Sequence, residues 1–287
     1  MSKTQSAAPL SAIRDILVGT AVEGEGEPAS AAIGYGLTLA KAAGAHLTIQ
    51  SASWRLSGDD AWLGDFDSEG AAVIDRRLDA LARSIADRSA GDAAQAGVVC
   101  TTETPGLPYP EIVSRLARQA RLYDLTILDA GSRTYDLDRE RIEKTLFLSG
   151  RPVIAVPPGA DVFAARRIIL AWDGSAQAAR AANAAMPFLR SAERVEIVCV
   201  AEPEDFYASV PGAEFAPHLV RHGVNVTVVD VPGTDGIAET LRNQARMLRA
   251  DMIVMGAYRH APLREFFFGG VTRSLLRGSP APLFLAH

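Results

Sequence analysis

A chain of 287 residues, 48% hydrophobic and 22% charged, has a globular composition with enough apolar surface for a large core. At roughly 100–200 residues per domain, this length predicts two domains. The acidic excess lies in residues 1–160, and residues 161–287 are balanced, so neither half has the basic surplus that nucleic-acid binding requires. The apolar runs fall short of the roughly 18 residues of a membrane span, and MSKTQSAAPLSAIRD lacks the apolar core of a signal peptide.

In the first half, five apolar runs predict strands, and these runs lie at residues 14–19, 46–51, 97–101, 124–128 and 152–156. An alanine-rich helix is predicted over Pro28–Ala45. The insertion Trp54–Gly91 predicts an acidic loop, without calcium-loop spacing, and then an amphipathic helix that is exposed over Asp75–Arg88. The apolar positions of that helix are Val73, Leu78, Leu81 and Ile85. The stretch GSRTYDLDRERIEK after the fourth strand predicts a charged loop.

In the second half, strands are predicted at residues 167–172, 194–200, 224–229, 251–255 and 282–286. Helices are predicted at residues 175–189, 236–249 and 270–277, and residues 202–223 as a loop with part of a helix. Cys100 and Cys199 both lie in strand-like runs. We interpret them as reduced core residues of a cytoplasmic protein, with a disulfide between the halves as the alternative.

The two halves repeat each other. QARLYDLTILDAG in the first matches QARMLRADMIVMG in the second, and each half closes on a short strand after proline, RPVIAV or APLFLA. Strands that alternate with helices predict an α/β fold with a parallel sheet in each half, because the nearly continuous apolar runs suit strands covered on both faces. The turn-rich VPPGAD, residues 156–161, separates the predicted domains 1–160 and 161–287.

Glycines at the end of the second half suggest a phosphate site. Gly256 ends the fourth strand, and Gly269 and Gly270 precede the last helix, where the unpaired backbone N–H groups of a helix start attract anions. Asp173, at the end of the first strand, is predicted in the same crevice, beside a packed Trp172. Asp173 would contact a ribose or hold Mg²⁺. The alternative is a structural role, in which Asp173 caps the following helix.

With these motifs, nearly the whole chain resembles the universal stress proteins in their tandem two-domain form. Nucleotide-binding members carry Gly, two residues, Gly, nine residues, then Gly and Ser or Thr, followed by Val-Thr. The same spacing here gives Gly256, Arg259, Gly269, Gly270, Val271 and Thr272. Arg259 replaces a glycine and Gly270 replaces the hydroxyl residue. Asp173-Gly174-Ser175 matches the family's opening Asp-Gly-Ser.

The resemblance implies two Rossmann-like domains, each a five-stranded parallel sheet flanked by helices, of the adenine nucleotide alpha hydrolase-like type. It implies that the domains pair through their last strands within one chain, with a homodimer and unnamed protein partners as further expectations. Val200 would lie where the family reads adenine through the backbone. The expected site, for ATP or ADP with Mg²⁺ on Asp173, comprises Asp173, Val200, Gly256, Arg259, Gly269, Gly270, Val271 and Thr272.

Arg259 leaves two outcomes open. Its side chain either fills the path of the phosphates or binds them bidentately. In the first half, Thr20 stands at the position assigned to Asp173, Asp129 at that of Gly256, and Arg139 and Glu140 replace the glycine pair. We therefore interpret the first half as a degenerate partner, with a different small ligand as the alternative.

Three functions remain open at this stage: a stress-response binding module with at most one nucleotide site, a slow ATP hydrolase or nucleotide transferase, and an interaction protein without ligand. No catalytic residue is assigned, because Asp173 and His260 are the only candidate bases and His260 is expected to be a solvated loop residue. The histidines at 46, 218, 222 and 287 are interpreted as lacking metal-ligand spacing. The triplet Phe266–Phe268 is expected to pack against the sheet or the partner domain.

Overall fold

The computed structural model describes residues 9–22, 30–55, 68–131, 135–201, 211–257 and 270–287. In the first half the strands are β1 (Asp15–Val22), β2 (His46–Trp54), β3 (Cys100–Glu103), β4 (Gly106–Leu107), β5 (Leu125–Asp129) and β6 (Val153–Val156). The helices of this half are α1 (Ala31–Ala43), α2 (Ser68–Ala96), α3 (Tyr109–Gln119) and α4 (Tyr135–Ser149).

The second half repeats this alternation of strands and helices. Its strands are β7 (Arg167–Ala171), β8 (Arg194–Ala201), β9 (Val226–Pro232), β10 (Met252–Gly256) and β11 (Leu283–Ala286). Its helices are α5 (Ala176–Ala184), α6 (Met186–Ser191), α7 (Pro211–Arg221), α8 (Ile237–Leu248) and α9 (Gly270–Gly278). None of the helices in the described ranges is long and apolar enough to cross a membrane.

One sheet runs through both halves in the order β3-β2-β1-β5-β6-β11-β10-β7-β8-β9, with the short β4 added beside β2. Among the described strands, every pair is parallel except β6 with β11, which are antiparallel. Phe284 faces Ile154 in that antiparallel pair. The α/β prediction is confirmed, and the halves meet along their last strands as the resemblance implied.

The two halves also share a hydrophobic core on one face of the sheet. Tyr35 of α1, Phe188 of α6 and Phe284 of β11 are each less than 2% exposed and belong to the same cluster. Phe163, in the connection between the halves, lies 5.5 Å from Tyr35 and 6.0 Å from Phe188 between ring centroids. Its backbone N–H donates to Thr38 Oγ1 at 2.8 Å, so the connection is packed against α1.

An identical carboxylate contact marks the repeat in both halves. Asp124 Oδ2 accepts hydrogen bonds from the backbone N–H groups of Arg14 and Asp15 at 2.7 and 3.0 Å. Asp251 Oδ2 accepts from the corresponding N–H groups at the start of β7, at 3.0 and 2.8 Å. Each carboxylate directly precedes the next-to-last strand of its half, β5 or β10, and ties the start of that strand to the first strand, β1 or β7. The pair also fixes which residues of the halves correspond.

Three helix predictions need correction. The predicted helix 175–189 is divided at Ala185 into α5 and α6, because Pro187 has no N–H to continue the first ladder. The segment Asp75–Arg88, predicted to be exposed, is buried on one side, since Leu78 and Ile85 of α2 pack against Val22 of β1. Val73 falls on the opposite side of the helix and is exposed.

The charged stretch predicted as a loop is helical from Tyr135 onward, so that prediction is wrong. Opposite charges follow each other at helical spacing, as in Lys144 with Glu140 at 2.6 Å, and acidic residues occupy the first turn, where the helix dipole favours them. Ile142 and Leu146 bury the apolar side of the helix. Arg139 and Glu140, taken as loop residues, therefore lie inside α4.

Both cysteines are free thiols, which confirms the reduced-core interpretation and contradicts a disulfide between the halves. Cys199 is buried in β8, and Cys100 is half-buried at the start of β3. Burial, with a smaller contribution from Asp230, raises the pKa of the Cys199 thiol to about 11. Cys199 therefore carries almost no thiolate near pH 7 and behaves as a core residue.

Candidate functional site

In each half, the first strand lies beside the next-to-last strand of that half, and the chain leaves these two strands in opposite directions along the sheet. These pairs are β1 with β5 and β7 with β10. In open parallel sheets, ligands bind beyond the carboxyl ends of the strands at such a point. The chain therefore has two equivalent candidate crevices, one in each half.

In the second half, a tight turn joins β7 to α5. Asp173 Oδ1 accepts the N–H of Ser175 at 3.0 Å, and Gly174 has φ of 72°, a left-handed conformation that glycine adopts without strain. Ser175 Oγ accepts the N–H of Ala178 at 3.1 Å and is the N-cap of α5. The alternative prediction, that Asp173 caps the following helix, is therefore wrong. Ser175 caps the helix, and the solvent-exposed Asp173 stabilises the turn before it.

Gly256 ends β10 directly against the first turn of α5. A Cβ built on Gly256 would lie 2.5 Å from the backbone N of Ala178 and 2.5 Å from the carbonyl carbon of Gln177. Real Cβ atoms do not approach backbone atoms this closely, so only glycine allows the helix to start here. The glycine that the motif assigned to a ligand therefore also has a packing role within the protein.

The other predicted site residues are placed as follows. Gly270 is exposed at the first position of α9, and a Cβ there would meet no atom of the described residues within 4 Å. Val271 is half-buried, and Thr272 is 3% exposed. Val200 is half-buried in β8, two strands from β10, where it pairs with Val231 of β9. Arg259, Gly269, His260 and the triplet Phe266–Phe268 lie outside the described residues.

Trp172 packs beside this crevice, as expected. Its ring stacks on Phe215 of α7 with centroids 4.0 Å apart and an interplanar angle of 9°. His218 and His222 continue the row one turn apart, with ring centroids 4.6 Å apart. The two histidines are four residues apart in the sequence, a spacing that places them on the same side of a helix. The described residues contain no group of three or more His, Cys, Asp or Glu side chains that could hold a metal ion.

The twin carboxylate contacts show which first-half residue corresponds to Asp173. Because position 14 matches position 166, the residue equivalent to Asp173 is Ala21 and the one equivalent to Trp172 is Thr20. The sequence alignment of Thr20 with Asp173 was therefore wrong by one residue. Ala21 is 6% exposed and apolar. The first-half crevice thus has no carboxylate at this position.

Asp129 stands in the first half at the position of Gly256. This difference changes the crevice more than Ala21 at the position of Asp173, because it adds a carboxylate. Its carboxylate accepts hydrogen bonds from Ser30 Oγ at 2.7 Å and from the N–H of Ala32 at 3.0 Å. Asp129 thereby caps α1, while the side chain of the N-cap residue Ser30 makes no capping bond of its own. Burial raises the pKa of Asp129, and the bonds from Ser30 and Ala32 partly oppose that rise. The start of α1 therefore already contacts an anion that belongs to the protein.

A buried ion pair adjoins this region. Arg141 donates to Asp138 within the first turns of α4, and both side chains are less than 10% exposed. Tyr109 of α3 donates its hydroxyl to the carbonyl of Leu137 at 2.9 Å. Asp138 and Arg141 act with opposite signs on the pKa of Asp129. The first-half crevice is thus lined by the protein's own charges.

Asp129 yields a pH-dependent prediction. Its folded pKa lies above the ordinary 3.8, so folding favours the protonated form, and its contribution to the free energy of unfolding falls as pH rises from 3.8 through the raised pKa. Asp129→Asn keeps an acceptor for Ala32 without the charge. We expect the stability of the variant relative to wild type to increase with pH across that window, measured by urea unfolding between pH 4 and pH 8.

Asp129→Ala is the matched control, because it removes the cap as well as the charge. We expect it to be less stable than Asp129→Asn by about 1 kcal/mol, as for loss of a helix cap. A constant difference between wild type and Asp129→Asn at every pH would show that the buried charge does not oppose folding.

The second half of the chain shares its sequence pattern with one known protein family. Residues 164–287 match the model of the Universal stress protein family. The second half of the chain is therefore similar to the universal stress proteins. The Asp-Gly-Ser turn and the glycines at positions 256 and 270 lie within the matched residues.

The fold of the whole chain is similar to that of solved proteins. A universal stress protein from Archaeoglobus fulgidus has a TM-score of 0.70 at 18% identity, with 95% of each chain covered. A functionally unknown protein from Pseudomonas aeruginosa has a TM-score of 0.60 at 15% identity, covering 98% of this chain and 94% of its own. No curated protein sequence matches. At these identities the similarity establishes the shared fold of both halves.

Proposed function

We propose that the chain is a tandem universal stress protein that binds one adenine nucleotide, ATP or ADP with Mg²⁺, in the crevice of its second half. The observation that supports this most directly is the difference between two equivalent positions. Asp129 places a carboxylate at the crevice of the first half, whereas Gly256 places no side chain in that of the second. The family match covers the second half alone.

Electrostatics favours one site rather than two. A nucleotide triphosphate brings several negative charges, and in the first half they would approach the carboxylate of Asp129 and a helix start that it already caps. In the second half, α5 is capped by the neutral hydroxyl of Ser175, and α9 starts at the exposed Gly270. The N–H groups in the first turn of a helix have no acceptor within the helix and are suited to phosphate oxygens.

The remaining residues complete the proposed site. Asp173 is exposed at the end of β7, and its carboxylate is the hard oxygen ligand that Mg²⁺ prefers, with phosphate oxygens and water completing the shell. Val200 supplies backbone contacts to adenine, and Val271 and Thr272 follow the phosphate contacts of Gly269 and Gly270. Arg259 binds the phosphates as a planar, bidentate cation. We assign no catalytic role to any residue.

The test begins with the purified protein, which is denatured so that any released nucleotide can be identified. ATP with Mg²⁺ is then titrated into nucleotide-free protein by calorimetry, and we expect one site per chain. Gly270→Asp is the decisive variant, because its Cβ meets none of the described residues and an acidic residue at a helix start favours the helix. Its charge opposes phosphate, so we expect about a 10- to 100-fold loss of affinity.

Two further variants complete this experiment. Gly270→Ala has the same backbone change without the charge and should bind as wild type does. Asp173→Asn should weaken ATP binding in the presence of Mg²⁺ more than in its absence. If wild type releases no nucleotide and binds no ATP at millimolar concentration, the proposal fails, and an interaction module whose loop is closed by Arg259 becomes the better reading.

A further inference from the structure

His287 links the seam between the halves to the loop of the proposed site. Its Nδ1 lies 3.0 Å from the carbonyl oxygen of Ala257, the first residue after β10. The N–H of Ala257 donates to the carbonyl of Ala286 at 2.8 Å. Since a carbonyl oxygen only accepts, Nδ1 must carry the hydrogen. Both polar backbone atoms of the fully buried Ala257 are therefore bound by residues at the end of β11.

The first half holds the imidazole in place. Phe147 of α4 meets His287 edge to face, with ring centroids 4.7 Å apart and an interplanar angle of 78°. This geometry is the favoured one for aromatic pairs, and such pairs contribute about 0.5–1.5 kcal/mol beyond area burial. A side chain of the degenerate half thus orients the group that binds Ala257 in the other half.

The corresponding contact does not exist in the first half. There the N–H of Ala130 donates to the carbonyl of Val156 at 2.9 Å, which matches the bond between Ala257 and Ala286. The residue that follows Val156 is Pro157, at the position of His287, and proline has no side-chain donor. The side-chain bond is therefore specific to the half with the glycine motif.

We propose that His287, oriented by Phe147, is a positioning residue that fixes the start of the loop 257–269 for phosphate binding. Its consequence for affinity rests on the proposed function. Ala257 directly follows β10, and a bond that fixes this residue lowers the conformational entropy that a ligand bound at this end of β10 must remove. The first half, without a site of its own, then contributes to the site of the second.

Hydrogen exchange tests this without any nucleotide. In the full-length protein, we expect the peptide that ends at Ala257, residues 250–257, to exchange about 2- to 10-fold faster in His287→Ala than in wild type, as for loss of one hydrogen bond. Phe147→Ala should have the same effect. His287→Asn places an amide N–H near the position of Nδ1 and should restore slow exchange. His46→Ala, a histidine of the first half that contacts Thr101, should leave this peptide unchanged.

ATP affinity provides the second measurement. We expect it to fall by about the same 2- to 10-fold in His287→Ala and Phe147→Ala and to recover in His287→Asn. Unchanged exchange in His287→Ala, faster exchange spread over the whole second half, or no recovery in His287→Asn would each overturn the proposal. Wild type that fails to bind ATP would overturn the nucleotide function alone, because the exchange result does not depend on ligand.

Discussion

Gly256→Ala should destabilise the protein by about 3 kcal/mol, the upper part of the range for overpacked cores. The added methyl would lie 2.5 Å from backbone atoms of Ala178 and Gln177, and backbone atoms cannot rotate away as a side chain does. Relief requires α5 to move from β10, which breaks packing along the sheet. Urea unfolding followed by circular dichroism measures the loss.

Gly270→Ala is the matched control, since alanine there meets none of the described residues within 4 Å and suits a helix better than glycine. We expect its stability to equal or slightly exceed that of wild type. If Gly256→Ala unfolds within about 0.5 kcal/mol of wild type, the close contact between β10 and α5 is wrong. A loss of nucleotide binding in Gly256→Ala would not by itself identify a ligand contact, because the added methyl group also disturbs the packing between β10 and α5.

Phe284→Ala should cost about 3–5 kcal/mol, as for other fully buried phenylalanines. Phe284 is 0% exposed, its ring lies 5.6 Å from that of Phe188, and its strand pairs with β6 of the first half. Because the core is shared, we expect the halves to unfold together in one shifted transition. Circular dichroism and tryptophan fluorescence, from Trp54 and Trp62 in the first half and Trp172 in the second, measure whether the transitions coincide.

Met247→Ala is the control for that variant. Met247 is 77% exposed at the end of α8, and an exposed substitution of this kind should change stability by less than about 0.5 kcal/mol. Two separate transitions in Phe284→Ala, with the first half unfolding as in wild type, would show that the halves have independent cores.

Much of the fold could be predicted from the sequence, because parallel strands buried on both faces appear as nearly continuous apolar runs. The run IRDILVG therefore locates β1, and APLFLA locates β11. The antiparallel seam between β6 and β11 was not encoded in any local pattern and came from the family resemblance. The charges of α4 did carry a helix signal, but aligning the segment on the glycine motif concealed it.

The site was less predictable because its key contacts are remote along the chain. Asp129 and Ala32 are 97 residues apart, so no sequence window shows that the carboxylate caps α1. The match of Asp173 with Ala21 rather than Thr20 needed the strand register. The start of the helix, predicted at residue 175, was correct to within one residue, since a hydroxyl side chain before a helix is a local signal. Arg259 and Gly269 remain predictions.

The antiparallel seam has a consequence for how such a molecule diverges. When two separate identical chains meet through their last strands, any substitution appears twice, and assembly depends on concentration. With both strands in one chain, pairing is intramolecular and persists at any dilution. Each copy can then change alone, so the carboxylate of Asp129 can arise in one crevice while Gly256 is retained in the other. Because the covalent link keeps the two halves paired, the two crevices no longer need to have the same sequence.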